Sequence, residues 1–500
     1  MGWQAAVLGL ALIVGGCAYP TRNSPLELPG TGGGHRYSAY LDAGARHGNK
    51  RLVILTMSGG GTRAAALALG VLRGLKEVAI VGTGRSLADE VDIVSSVSGG
   101  SVTAAYFALF GGPAFQERGK PYLDRLDRDF IRRDIIAEIL STGLNPVTLA
   151  RLSTPAYERI DLLREKLDER LFGGRDFRAL DDGQDRPFLV LNAADMAAGT
   201  VFPFTQDQFD LLCSRLETVK IADAVAASGA FPVALSPLTL KNNAPCLQLW
   251  DKSTYNPRIS AINALRSFYL DPYSDLVRSR RAWEDWTYLN LELPEGYGSI
   301  DAGDPRWMVA KHDRRKDYVH LLDGGIADNL GLSEPLVMLV EPERLESLPE
   351  RLVDEDITSI VFIVVNARSE SDSKLDQSQA TPGMLDMLLA TTDSTIDAAM
   401  TATLDSLPGI VGDLTKALEL DNLAVTVVPI DFDYVADPAC RSELKNIQTS
   451  WTLTREQIDL LEGVGQALLY DALRQPRSRL GFGIALPAPA LTVAQACHAG

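Results

Sequence analysis

The chain has 500 residues, of which 46% are hydrophobic and 23% charged, and this composition is typical of a folded protein with a large core. Its formal net charge of -17 argues against a nucleic-acid partner, since neutralising phosphates requires a basic face. The same charge argues against electrostatic docking on anionic lipid, so any membrane contact must be apolar or covalent.

The N-terminus offers a covalent contact. Residues 1–16 carry no charged side chain and include an apolar run at 5–14, too short for a bilayer span of about 20 residues. Small residues precede Cys17, as in a bacterial lipobox. We therefore expect a signal peptide at 1–16, lipidation of Cys17, and a location in the bacterial cell envelope. Ala18 does not resemble an inner-membrane retention signal, which favours the outer membrane, facing the periplasm. An ordinary cleaved secretion signal is the alternative, because no Lys or Arg precedes the apolar run.

The body of the chain follows a linker. Residues 17–49 are rich in Gly, Pro and Ser and are predicted to be a flexible linker from the anchor to a folded domain at 50–475. Residues 476–500 are predicted to be an irregular tail. Within the domain, insertions are expected at about 113–186, 242–307 and 370–420. The second insertion holds four of the six Trp residues and reads as a segment packed on the core or, alternatively, as an interfacial lid.

The predicted elements alternate between strand and helix. A buried apolar strand at 51–57 leads through a Gly-rich turn to a helix at 64–78, and a second strand at 91–97 leads through a Ser-Gly corner to another helix. This order predicts an α/β fold with a mainly parallel sheet. Further strands are predicted at 188–192, 318–322, 357–365 and 423–430, and helices at 221–230 and 454–473.

The corner after the second strand has the pattern of a nucleophile elbow. In the usual G-x-S-x-G pattern, a sharp strand-to-helix turn exposes the serine hydroxyl at the end of the sheet. Here the sequence is SVSGG at 96–100, so Ser98 is the candidate nucleophile and Ser96 replaces the first glycine.

The Gly-rich turn at 58–63 (SGGGTR) has more than one interpretation. The backbone N–H groups of Gly59, Gly60 and Gly61 at a helix N-terminus could form an oxyanion hole, and Arg63 could contact the loop or a substrate phosphate. A dinucleotide-binding fingerprint is the alternative, but its acidic residue should end the second strand, where Ser98 follows instead. A purely structural turn also remains open.

The positions of the histidines in the sequence argue against a histidine as the general base. After Ser98 the sequence has only His312, His320 and His498, and none is well placed for a triad. Asp323 ends an apolar strand and precedes two glycines, so a Ser-Asp dyad is predicted at the carboxyl ends of the strands. The alternative role for Asp323 is that of a turn residue.

The cysteines suggest disulfides and no metal site. Apart from Cys17, the chain has four cysteines, and the pairing with the shortest loops joins Cys213 to Cys246 and Cys440 to Cys497. Buried free thiols are the alternative. No Cys or His spacing matches a metal site, so neither a metal nor another cofactor is expected.

Three motifs in this order resemble those of the patatin-like acyl hydrolases, also called patatin-like phospholipases. They are SGGGTR at 58–63, SVSGG at 96–100 and DGG at 323–325, supported by AASGAFP at 226–232. The resemblance covers about residues 50–473 and implies a three-layer α/β/α fold. It also implies hydrolysis of lipid carboxylic esters, with Ser98 as nucleophile, Asp323 as base and residues 59–61 as oxyanion hole. A non-catalytic binding or scaffolding lipoprotein on this fold is the alternative function.

Overall fold

The computed structural model describes residues 21–26, 34–36, 51–111, 122–181, 185–232, 234–243, 316–340, 357–369, 423–475, 480 and 482–499. Within these ranges, a mostly parallel eight-stranded sheet lies between two layers of helices, which confirms the predicted three-layer α/β/α fold. The strands of this sheet are β1 (Arg51–Met57), β2 (Ile93–Val97), β3 (Phe188–Asp195), β4 (Thr200–Pro203), β5 (Leu238–Lys241), β6 (Tyr318–Asp323), β7 (Ser359–Asn366) and β8 (Ala424–Asp431).

The α-helices of the described ranges are α1 (Gly61–Glu77), α2 (Ser98–Phe110), α3 (Tyr122–Leu126), α4 (Ile135–Gly143), α5 (Pro146–Leu152), α6 (Arg159–Leu167), α7 (Gln206–Leu211), α8 (Ile221–Ser228), α9 (Ser333–Val340), α10 (Pro438–Asn446), α11 (Arg455–Arg474) and α12 (Val493–Ala499). The six strands predicted from apolar runs are all present, with ends displaced by at most three residues. None of these helices combines the length and apolar character that a membrane span requires.

The central strands are apolar on both faces because both faces are covered. On β1, Val53 and Leu55 belong to a core that also contains side chains of α1, α2 and α11. Leu52 and Ile54 point to the opposite face, into a second core with Leu336 of α9. This alternation is the reason why a parallel strand buried between two helical layers reads as a continuous apolar run.

The sheet order is β8-β7-β1-β2-β3-β6-β5, with β4 paired to β3, and the first five of these strands are parallel. The strand β6 is antiparallel to β3. The N–H of Phe188 on β3 donates to the Asp92 carbonyl, just before β2. The N–H of Met196, just past β3, donates to the His320 carbonyl of β6. These two N–H groups are an even number of residues apart, so β2 and β6 lie along the same edge of β3.

The strands β2 and β6 therefore run toward each other and meet end to end. Val97, the last residue of β2, is opposite Asn192, and Asp323, the last residue of β6, is opposite Ala193. The sequence argument expected Ser98 and Asp323 to converge as residues after parallel strands. That reason is wrong for β6, but the head-to-head arrangement places the two residues side by side.

The predicted flexible linker at 17–49 is corrected where the structure describes it. Asn23 is buried and its amide donates to Ser214 Oγ at 2.8 Å, and Ser24–Pro25 pair antiparallel with Ser214–Arg215. Arg36 is also buried and donates to Asp210 Oδ2 at 2.6 Å. Buried side chains that are hydrogen-bonded to the domain hold the backbone in place, so these parts of the segment are ordered against the domain.

The predicted irregular tail is also corrected. Its last turns form α12, and a Cβ built on Gly463 of α11 would lie 3.4 Å from the Ala496 Cβ. Cys440 and Cys497 are joined by a disulfide, one of the two proposed from the sequence. This bond attaches the tail to α10. Cys213 is disulfide-bonded as well, and Cys246 lies outside the described residues.

Of the predicted insertions, 113–186 is mainly helical where it is described and contributes α3 to α6. The segment 242–307, apart from its first two residues, and the segment 370–420 lie outside the described residues. Residues 1–16 and Cys17 also lie outside them, so the lid, the signal peptide and the lipidation remain predictions.

Candidate active site

Ser98 occupies the turn between β2 and α2 in a strained backbone conformation. Its φ is +49°, a left-handed value that costs a non-glycine residue of order 1–3 kcal/mol. The turn is held by the Ser98 N–H, which donates to Ser228 Oγ at 2.8 Å. It also requires glycine at the next position, because a Cβ on Gly99 would lie 1.9 Å from the Gly61 carbonyl oxygen. This is the geometry of a nucleophile elbow.

The Ser98 hydroxyl faces a carboxylate. Ser98 Oγ donates to Asp323 Oδ2 at 2.7 Å, and the Gly325 N–H donates to Asp323 Oδ1 at 2.9 Å. Both side chains are buried. Burial raises the pKa of the Asp323 carboxyl to about 6, against the opposing effect of its two hydrogen bonds. At neutral pH the carboxylate is therefore ionised, yet it binds a proton more strongly than an exposed aspartate does.

A network of polar side chains supports the elbow, and none of its hydrogen bonds was predicted from the sequence. Ser228 Oγ donates to the Asn192 carbonyl at 2.6 Å and lies 2.9 Å from Ser101 Oγ. Ser101 Oγ in turn donates to Ser96 Oγ at 3.1 Å, and the Asn192 amide donates to Ser95 Oγ at 2.9 Å. The only sequence signal was the small-residue helix that ends at Ser228. The network joins β2, β3, α2 and α8 directly behind Ser98.

The glycine loop at 59–61 lies beside the elbow. A Cβ built on Gly59 would lie 3.3 Å from the Ser98 Cβ and only 2.3 Å from Asn329 Oδ1. Gly60 and Gly61 have φ values of 137° and 58°, a region of backbone conformation that favours glycine. The Gly59 N–H already donates to the Asn329 carbonyl at 3.0 Å. No acceptor among the described residues contacts the N–H of Gly60 or Gly61, so the expected oxyanion hole narrows to these two amides.

Of the two contacts expected for Arg63, with the glycine loop or with a substrate phosphate, the structure shows the first, since a Cβ built on Gly60 would lie 2.9 Å from Arg63 Nη2. Its guanidinium is buried, and Nε donates to the Ala367 carbonyl at 2.8 Å. Nη1 donates to the Ile447 carbonyl and Nη2 to Thr449 Oγ1 at 3.1 Å. These three bonds join α1 to the loops after β7 and α10. The arginine of SGGGTR therefore has a structural role.

The remaining candidate residues lie elsewhere. His320 Nδ1 hydrogen-bonds Thr239 Oγ1 on the neighbouring strand, His498 belongs to α12, and His312 lies outside the described residues. Within the described ranges no group of three or more His, Cys, Asp or Glu side chains is arranged to hold a metal ion.

Comparison with known proteins supports the resemblance seen in the motifs. One similar solved structure is human GIVD cytosolic phospholipase A2, at 13% identity and a TM-score of 0.41 over 89% of this chain. The chain spans 60% of the length of that protein's chain, and a similarity this low says nothing about activity. No curated protein sequence matches. The family model of the patatin-like phospholipases matches residues 55–257, which contain the glycine loop, Ser98 and Ser228. Residues 55–257 of the chain therefore match the domain of the patatin-like phospholipases, a family of lipid acyl hydrolases.

Proposed function

We propose that the protein hydrolyses carboxylic esters of lipids through an acyl-Ser98 intermediate, with Asp323 as the general base. The observation that carries this proposal is the 2.7 Å hydrogen bond from Ser98 Oγ to Asp323 Oδ2, made by a serine at φ +49°. A strained elbow and a buried carboxylate with a raised pKa are features that cluster at catalytic sites.

In the acylation step, Ser98 Oγ attacks the ester carbonyl carbon while Asp323 Oδ2 takes the hydroxyl proton. The carbonyl oxygen becomes an oxyanion, which the N–H groups of Gly60 and Gly61 stabilise. The carbon–oxygen bond to the leaving alcohol then breaks, and Asp323 returns its proton to that alcohol. The product is an ester of Ser98 with the fatty acid.

In the deacylation step, the Asp323 carboxylate takes a proton from a water molecule while the water oxygen attacks the acyl carbon. The bond to Ser98 Oγ breaks, Ser98 Oγ recovers the proton, and the fatty acid leaves. The steps use Ser98, Asp323 and backbone amides, so the proposal requires neither a metal nor an organic cofactor.

A fluorophosphonate probe tests the nucleophile before the substrate is known. We expect the full-length protein to be labelled, Ser98→Ala to lose the label, and Ser101→Ala, which removes a serine hydroxyl of the same network, to keep it. A panel of phospholipid, lysophospholipid and neutral-lipid esters, with Ser98→Ala as the blank, then identifies the preferred class. Labelling of Ser98→Ala at the wild-type level contradicts the proposal, and no labelling of the wild type favours the scaffolding alternative.

Asp323→Asn tests the base. Asparagine can still accept from the Gly325 N–H, but it cannot take the Ser98 proton. We expect esterase turnover to fall at least about a hundredfold, within the range attributed to general-base catalysis. Wild-type turnover in this variant contradicts the dyad.

The membrane anchor is part of the same proposal. The apolar run at 5–14 and the small residues before Cys17 support lipidation of Cys17 and retention in the bacterial envelope, at the outer membrane facing the periplasm. Metabolic labelling with an alkyne fatty acid tests the anchor. The label should be lost in Cys17→Ser and kept in Cys213→Ser, and equal labelling of the two variants contradicts it.

A further inference from the structure

One pair of helices exposes an unusual amount of apolar surface. Five of the nine large hydrophobic side chains exposed in the described ranges fall within fourteen consecutive positions of α4, α5 and the turn between them. We call this set the apolar ridge; it consists of Ile136, Leu140, Leu144, Val147 and Leu149. Leu144 and Val147 at its tip are 73% and 70% exposed. Scattered exposed apolar residues need no explanation, but a contiguous group of this kind marks an interaction site.

The outward orientation of the ridge is fixed by polar contacts on its other side. Glu138 of α4 accepts from Arg170 at 2.8 Å, and Arg151 of α5 donates to Glu165 of α6 at 2.6 Å. Ile136 and Leu140 are four positions apart and share one face of α4, and Leu144 follows at the same interval directly after the last residue of the helix. Helix α4 also buries Ile135 in the core and packs Ile139 against it, so it carries apolar side chains on its exposed face as well as on its inner face, unlike an ordinary surface helix.

The ridge is next to the helix that contacts the first described residues of the chain. Arg22 donates to Asp161 of α6 at 2.6 Å, which fixes this end of the described chain. The neighbouring Leu162 packs close to the last residue of α4, since a Cβ on Gly143 would lie 3.7 Å from Leu162 Cδ1. Cys17 is five residues before Arg22, and five residues span at most about 17 Å. A lipid attached to Cys17 must therefore enter a membrane close to α6 and the ridge.

The ridge is also connected to the candidate active site. Thr452 Oγ1 donates to Asp134 Oδ1 at 2.7 Å, at the residue that caps α4. Two residues earlier, the Ser450 carbonyl accepts from the Thr62 N–H at 2.7 Å, in the first turn after the glycine loop. The short segment 450–452 thus touches both the N-terminus of α4 and the loop beside Ser98.

From these relationships we propose that the apolar ridge inserts into the surface of a lipid bilayer and holds the domain there beside its substrate. The occupant is lipid, because an apolar N-terminal segment precedes Arg22 in the sequence, and because a net charge of -17 leaves apolar insertion as the attractive force. The proposal rests on the proposed lipid hydrolase function for its purpose. Docking itself requires no catalysis, so the two can fail separately.

The test is vesicle co-sedimentation of the full-length protein with Ser98→Ala and Cys17→Ser, so that neither hydrolysis nor an acyl chain affects binding. The probe is a phosphatidylcholine vesicle. We expect Leu140→Gln, Leu144→Gln and Val147→Gln together to lower the partition coefficient about tenfold or more, since three apolar side chains no longer leave water. These side chains are exposed, so the substitutions should leave the melting temperature unchanged.

The matched control replaces two exposed apolar side chains outside the ridge, Met196→Gln and Tyr434→Gln, and should leave partitioning unchanged. Addition of anionic lipid should weaken binding of both proteins. The proposal is overturned if the ridge variant and the control variant partition alike. It is also overturned if the unsubstituted ridge forms a dimer that the ridge variant abolishes, because the ridge then binds a second copy of the chain. A lack of ester hydrolysis by the protein that retains Ser98, together with the expected difference in partitioning, would count against the proposed function alone.

Discussion

Ser98 Oγ and Asp323 Oδ2 lie 2.7 Å apart, although 225 positions separate the two residues in the chain. The contact follows from the meeting of β2 and β6 along one edge of β3, where Val97 and Asp323 are opposite adjacent residues of the same strand. The backbone must leave the sheet at the end of each of these two strands, and in both places glycines follow. The serine and the carboxylate therefore meet directly, in the position where a triad would place a histidine.

The pH dependence of the reaction should report the Asp323 carboxyl. A general base acts only when it is deprotonated, and burial raises the pKa of Asp323 to about 6. We expect kcat/KM for a soluble ester to fall about tenfold per pH unit below pH 6 and to be level above pH 7. The measurement is a pH profile from 4.5 to 8 with circular dichroism at each pH as the control for folding. A midpoint near pH 4 would show an unperturbed carboxylate and contradict the environment described for Asp323.

The buried Asp323 carboxylate should also reduce stability. A carboxyl whose pKa is about 6 in the folded protein and about 4 when unfolded favours folding below pH 4 and opposes it above pH 6. Asparagine keeps the size and can still accept from the Gly325 N–H, and its Nδ2 can donate to Ser98 Oγ in place of the bond that Asp323 accepts, without the charge. We expect Asp323→Asn to raise the free energy of unfolding at pH 8 by up to about 3 kcal/mol, and to raise it much less at pH 4.

Urea unfolding at the two pH values measures this difference. Asp437→Asn is a useful comparison, because Asp437 is a partly exposed helix cap whose side chain accepts from the N–H groups of Ala439 and Cys440 and so favours folding. A decrease in stability for Asp323→Asn at pH 8 would mean that the carboxylate stabilises the fold, against the argument from burial.

The sequence was most informative where structure is local. The strands β1 and β7 were predictable because a run of β-branched and apolar residues bounded by turn residues can be buried on both faces. Ser98 was predictable because the elbow needs small residues at neighbouring positions, and a Cβ on Gly99 would collide with Gly61. The same holds for Asp323, which ends a strand and precedes two glycines.

Distant pairing was not predictable. The direction of β6 depends on the route of the chain before it, and no residue of β6 itself records whether it runs parallel to β3. Arg63 looked available for an anion because its partners, at positions 367, 447 and 449, are more than 300 residues away in the sequence. The burial of Asn23 and Arg36 against the domain was not predictable, because the segment that contains them has the composition of a linker.

Ser228 should act as a positioning residue for the nucleophile. Its hydroxyl accepts the N–H of Ser98 at 2.8 Å and donates to the Asn192 carbonyl, so it ties the strained elbow to β3. We expect Ser228→Ala to lower kcat about tenfold to a hundredfold with little change in KM, because small displacements of a reacting group cost this much. The fluorophosphonate labelling rate should fall in parallel.

Ser101→Ala is the matched control for Ser228. It removes a hydroxyl from the same buried network but leaves the bond to the Ser98 N–H in place. Both variants should lower the melting temperature to a similar degree, whereas only Ser228→Ala should lower kcat strongly. An equal loss of kcat in the two variants would assign Ser228 a structural role alone.

Arg63 should matter for folding and not for the choice of substrate. Arg63→Met removes three hydrogen bonds from a buried guanidinium and leaves the Ala367 and Ile447 carbonyls without a donor, so we expect a loss of about 2–4 kcal/mol in the free energy of unfolding. Arg128→Met is the control, because Arg128 is exposed and, among the residues that the structure describes, hydrogen-bonds its neighbour Asp129 alone, so the substitution should leave stability unchanged. The ratio of kcat/KM for a phospholipid to that for a neutral ester with the same acyl chain should be the same in wild type and Arg63→Met. If Arg63 instead held the substrate phosphate, this ratio would fall while stability changed little.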